Sequence, residues 1–176
     1  SRSTAWVDAD NKLVVDDYCS DYAEFAKTLW TKNYVTQVAQ WSDNWKPLGQ
    51  SDDVMGFFIS TWGFGDAILS AAAGGEGGAT FGDWKCIVGP AEFYWGGTWL
   101  APTTRCDNKT IAKEFIEFFT TKEDTAEAYA LSKGEYMSNK NVMEKIIKDK
   151  SYEGAPVLGG QNQFEVLNEV DRKSVV

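Results

Sequence analysis

Val54-Met55-Gly56-Phe57-Phe58-Ile59-Ser60 is a continuous apolar run, too short for a core helix and bracketed by polar and turn residues. Such a run reads as a strand buried on both faces, which requires a layer above it and another below. The flanking residues offer those layers. Upstream, Ser20 or Asp21 can cap a helix reaching about Asn33, in which Tyr22, Phe25, Ala26, Leu29 and Trp30 recur at helical spacing. Downstream, Thr61-Trp62-Gly63 leads into a second helical stretch over residues 64–73. The loop Gly74-Gly75-Glu76-Gly77-Gly78 follows, and Trp84-Lys85-Cys86-Ile87-Val88 then reads as another strand, closed by Gly89-Pro90. This alternation predicts an α/β fold, a mixed sheet flanked by helices.

The ends of the chain differ from its middle. Residues 6–15 read as two short extended runs around the polar turn Asp8-Ala9-Asp10-Asn11. The turn resembles the start of a calcium loop, but the remaining EF-hand ligands and the central glycine are missing. Residues 38–47 carry Trp41 and Trp45 four apart, on one side if helical. After Pro102 the pattern becomes helical. Asp107 or Asn108 starts a helix with Ile111, Phe115, Phe118 and Phe119 on one face. Thr121-Lys122-Glu123-Asp124 fits a capping box for a helix ending at Gly134. A third covers residues 139–149 with Val142, Met143, Ile146 and Ile147 inward, and residues 164–170 begin a last one.

Charge and rare residues narrow the function. The formal net charge is −9, with no Lys/Arg run to offset it, so nucleic acid is a poor partner. An uncharged ligand is indifferent to that field. The chain has eight tryptophans and no histidine. His-dependent triads and the usual zinc sites are thereby excluded, whereas carboxylate chemistry is not. Cys19, Cys86 and Cys106 form no C-x-x-C pair. Cys86 and Cys106 could pair in an oxidising compartment; two buried free thiols are the plainer expectation.

In layered α/β sheets ligands sit at strand ends, on loops leading into helices. Trp62 occupies one such place, and Tyr94 and Trp95 occupy another beside Gly96-Gly97, whose backbone freedom other residues lack. A pyranose offers flat C–H faces and a rim of hydroxyls. An aromatic ring covers the face, and carboxylates or amides answer the rim. Asp66, Glu92, Gln161 and Asn162 are the local polar complement. Trp41 and Trp45 divide evenly between ligand contact and core, while Trp6, Trp30, Trp84 and Trp99 lie in periodic segments and are expected in the core.

The order of these motifs carries more than any one of them. Trp41-Ser42-Asp43-Asn44-Trp45 comes first, then Met55-Gly56-Phe57-Phe58 leading to Ser60-Thr61-Trp62-Gly63. Gly89-Pro90, Tyr94-Trp95-Gly96-Gly97-Thr98-Trp99 and residues 108–121 follow. In this succession the chain resembles the family 1 extracellular solute-binding proteins of carbohydrate ABC transporters, particularly the Gram-positive lipoprotein branch. The similarity runs from about residue 18 to 165. It implies a type II periplasmic-binding-protein-like lobe with an incomplete second lobe. Residues of about 1–95 and 150–176 would belong to the C-terminal lobe, and about 96–149 to the crossover strand and helices of the other. Members are longer, so half of the ligand cleft is expected to lie outside this chain.

By the same resemblance Trp62 stacks on a sugar, Trp95 lies near the cleft at the crossover, and Gln161-Asn162 come from a returning loop. The implied activity is non-catalytic binding of a mono- or oligosaccharide for delivery to an ABC transporter permease, with no cofactor and no metal. The implied location is extracellular, at the cell surface through a lipid anchor outside this chain, or periplasmic. Two other functions are compatible with the residues. One is a glycoside hydrolase using two carboxylates drawn from Asp66, Glu76 and Glu92, which needs a separation of about 5–10 Å that spacing does not enforce. The other is a structural or interaction domain whose aromatic residues are all core.

Overall fold

A computed structural model of the chain describes residues 5–173, apart from Asp66, Glu92 and Tyr94. Its helices are α1 (Asp17–Thr31), α2 (Leu69–Ala72), α3 (Lys109–Thr120), α4 (Glu123–Lys133), α5 (Lys140–Lys148) and α6 (Gln163–Lys173), with single 3₁₀ turns at Lys46–Gln50, Thr61–Gly63 and Pro156–Leu158. None of these helices is long and apolar enough to cross a membrane. The chain divides into two compact units, one ending at Trp45 and the other starting at Lys46.

In the first unit the polar turn closes on itself. Asp8 Oδ1 accepts the backbone N–H groups of Asp10 and Lys12, each at 2.9 Å, and Asn11 takes a left-handed φ of 58°. Val7 and Leu13 then meet in an isolated antiparallel bridge. Asp16 caps α1 by accepting the Cys19 N–H at 3.0 Å, so the helix starts before Ser20. Its apolar residues share a face but stay in solvent, with Tyr22 67% and Phe25 61% exposed. Among the described residues of its own unit α1 meets no second helix or sheet against which that face could pack.

The second unit holds two apolar clusters. One gathers Phe64, Leu69, Ala73, Cys86, Val157, Leu158 and Leu167. The other gathers Ala126 and Ala130 of α4, Val142, Met143 and Ile146 of α5, and Phe164 of α6. Helix α6 joins them, because Phe164 enters one cluster and Leu167 the other. Side-chain caps set the helix starts: Asn108 Oδ1 accepts the Ile111 N–H at 3.0 Å, and Asn139 Oδ1 accepts the Val142 N–H at 3.3 Å. Helix α4 ends at Gly134, whose φ of 70° is the left-handed stop the sequence expects. The capping box at its start does not form: the Thr121 hydroxyl donates to Glu117 O instead, and Lys122 takes the cap position with no side-chain bond.

The expected mixed sheet, and with it the type II periplasmic-binding-protein-like α/β lobe, is corrected by this structure. Among the described residues there is no β-strand, only the isolated bridges Val7–Leu13 and Ala155–Gln161. Residues 54–60 are not buried on both faces. Phe57 and Ile59 pack on the core, while Met55 and Phe58 point to solvent. Residues 84–88 alternate inward and outward in the same single-faced way. Neither run meets a neighbouring strand, and side chains partner the backbone in the second one. The Gln161 amide accepts from Cys86 N at 2.7 Å and donates to Cys86 O at 2.8 Å, supplying what a strand edge would.

Two helical expectations shrink for local reasons. Residues 64–73 form only the one-turn α2, since Gly63 and Gly65 lower the propensity ahead of it. Residues 38–45 form turns, with Ser42 bonding back to Ala39 O through both its N–H and its hydroxyl. Helix α3 forms with its aromatic residues on one face, yet none of its residues is buried.

Candidate functional site

The site is best built from the 3₁₀ turn at Thr61–Gly63. Ser60 enters it in an extended conformation, and the Gly63 N–H closes it on Ser60 O at 2.9 Å. Gly63 is buried so tightly that a Cβ there would lie 2.9 Å from Ile59 Cβ, which holds the turn against the core. Trp62 is carried outward from it, half-buried. Its indole N–H donates to Trp95 O at 2.8 Å. The two rings meet edge to face, with centroids 4.9 Å apart and planes at 67°. Beyond Trp95 the chain turns through Gly96 (φ 74°) and Gly97 (φ 142°), where only glycine is comfortable.

This arrangement turns two separate aromatic side chains into one braced pair. The Trp62 N–H is satisfied by protein, so its ring orientation is set in the absence of ligand. Both rings keep surface in solvent. Sequence reasoning names both indoles but not their coupling: they are 33 residues apart, and no local pattern encodes a side-chain bond over that distance.

The remaining expected residues fall into four groups. Trp41 and Trp45 form a second pair inside the first unit, with centroids 5.2 Å apart and planes at 59°. Trp41 is half exposed and has φ 70°, a left-handed conformation that bulky residues seldom hold. Gln161 and Asn162 work in the scaffold. The former clamps Cys86 as described, and Asn162 Oδ1 accepts the Phe164 N–H at 3.1 Å at the start of α6. Asp66, Glu92 and Tyr94 lie outside the described residues. Glu76, the remaining acidic candidate, stands exposed in its glycine loop.

Of the tryptophans expected in the core, only Trp84 packs there. Its ring lies 5.5 Å from Phe57, and its N–H donates to Thr80 Oγ1 at 3.1 Å. Trp6, Trp30 and Trp99 are instead largely exposed. All three cysteines are free thiols, and Cys86 alone is fully buried. Burial pushes its pKa up to about 11, because a thiolate there would lose its hydration. No group of three Cys, Asp or Glu among the described residues could hold a metal ion.

Comparison with known proteins agrees with the pattern of motifs at the level of family. The family model described as "Bacterial extracellular solute-binding protein" matches residues 5–155. No curated protein and no solved structure matches the chain. With most of its length matched, the chain belongs to the bacterial extracellular solute-binding proteins.

Proposed function

We propose that the solute is a carbohydrate and that the Trp62–Trp95 pair is where the chain meets it. Membership of the family accounts for solute binding outside the cytoplasm in the service of transport. The braced indoles carry the finer reading. A pre-oriented aromatic surface loses little entropy on binding, and it suits a ligand with flat C–H faces rather than a charged one. The acidic chain, at −9, would repel anions and is neutral toward sugars. Trp41 and Trp45 offer a second aromatic surface of the same kind in the first unit. Asp66, Glu92 and Tyr94, beside the two indoles in sequence, are proposed to supply polar contacts to hydroxyls.

The receptor reading is non-catalytic, with an ABC transporter permease as the receiving partner and a lipid anchor outside this chain. Titration of a mono- and oligosaccharide panel, followed by tryptophan emission, tests the binding. A saturable change that is lost in Trp62→Ala and Trp95→Ala is expected. Release of reducing ends from any oligosaccharide would replace the receptor with a hydrolase. A panel without response would return the aromatic residues to a structural role.

A further inference from the structure

Trp99 lies in an apolar stretch of sequence, yet it is 73% exposed. Its indole folds back over the chain, so that a Cβ on Gly97 would meet the six-membered ring at 3.4–3.8 Å. Gly97 has no side chain and holds φ 142°, which leaves bare backbone for the ring to rest on. The glycine before it faces a different indole: a Cβ on Gly96 would stand 3.8 Å from Trp62 Nε1. Neighbouring Cα atoms are about 3.8 Å apart, so one two-residue turn touches both rings. Trp95, directly before that turn, is the ring that braces Trp62. Three indoles are thus gathered on one short turn.

The chemistry of the turn restricts what lies along it. Residues 93–104 carry no charged side chain, so a charged ligand finds no countercharge in this stretch. Between Trp95 and Trp99, Thr98 sets an exposed hydroxyl. A neutral molecule with C–H faces and a rim of hydroxyls matches rings and hydroxyl together. The Trp99 ring also forgoes the burial that favours large aromatic side chains, and a ligand face laid on it recovers that burial. A ligand already held at Trp62 and Trp95 reaches Trp99 without paying a second time for lost translational freedom.

Taking the Trp62–Trp95 pair as the sugar site, the reading on which this rests, we infer that Trp99 is a second stacking position and that the carbohydrate is an oligosaccharide. One ring is held at the braced pair, and a further ring of the same molecule, reached across Gly96-Gly97, lies on Trp99.

Calorimetric titration with mono-, di- and trisaccharides of glucose, galactose, mannose and xylose tests this on the unaltered chain, Trp62→Ala and Trp99→Ala. In at least one series the affinity should rise about tenfold with chain length, as a further aromatic contact is gained. Trp99→Ala should remove that rise and leave the monosaccharide affinity unchanged, whereas Trp62→Ala should weaken every length. Trp99→Phe, which keeps a flat ring, should retain most of the rise. The same affinity at every length, or a rise that survives Trp99→Ala, would overturn the second position while leaving the Trp62–Trp95 reading intact. An equal loss at every length in Trp99→Ala, with circular dichroism unchanged, would also overturn it, by making Trp99 part of a single-ring site. No binding by any sugar would overturn both.

Discussion

Gln161 makes two bonds with one amide, and both end on the backbone of Cys86. Replacing it by leucine keeps the volume and strands a backbone N–H and a carbonyl that no strand edge can recover. Gln161→Leu is therefore expected to lower stability by about 2–3 kcal/mol, read as a reduced urea midpoint with an unchanged slope; a loss below 0.5 kcal/mol would mean that water replaces the clamp. The residue it holds makes a second prediction. The Cys86 pKa rises from 9.0 to about 11 on burial, so the folded state retains a proton that the unfolded chain releases. That contribution to stability is whole below pH 9 and disappears as pH climbs through 11. At pH 8 a thiol reagent should modify the partly exposed Cys19 and Cys106 and spare Cys86 until the chain is unfolded. Equal reaction of all three would refute the burial.

Helices α3 and α5 look alike in sequence, each with an apolar stripe after an asparagine cap, yet they stand differently in the structure. Helix α5 buries Val142, Met143 and Ile146 against α4 and α6. Helix α3 turns Phe115 and Phe118 to solvent, where Phe115 and Phe118 both lean on Phe119 and the Lys122 ammonium lies 5.2 Å from the Phe118 ring centre. Ile146→Ala should cost about 2–5 kcal/mol, whereas Phe115→Ala should stay within about 1 kcal/mol, since an exposed ring has little burial to lose. Comparable losses for the two in chemical unfolding would show that α3 is covered. The contrast also marks what was legible. Period and caps locate α3, α4 and α5 within two or three residues, because 3.6-residue spacing and an asparagine cap are local facts. They do not say which stripes find cover. The runs at 54–60 and 84–88 were expected as strands and form none, because a sheet depends on a partner strand distant in sequence. Here a glutamine side chain from the far end of the chain takes that partner's place.

At the scale of the whole chain, both apolar clusters belong to the unit starting at Lys46, and α6 ties them together. A chain beginning at Lys46 should retain helical circular dichroism and a single cooperative urea transition; broad, gradual loss would place essential packing in the first 45 residues. The candidate site was legible to the same degree as the fold. Trp62 and Trp95 could be named from their glycine-flanked positions, whereas their mutual brace could not, and Gln161 and Asn162 proved to hold the scaffold. The central claim is that the braced indoles receive a sugar. The most direct measurement is tryptophan emission during titration of an oligosaccharide panel, with Trp62→Ala and Trp95→Ala in parallel. The account predicts a saturable change with at least one glycan, weakened about tenfold by either substitution, as expected when a central aromatic contact worth more than about 1 kcal/mol is removed. A full response surviving both substitutions, or none in the unaltered chain, would contradict it.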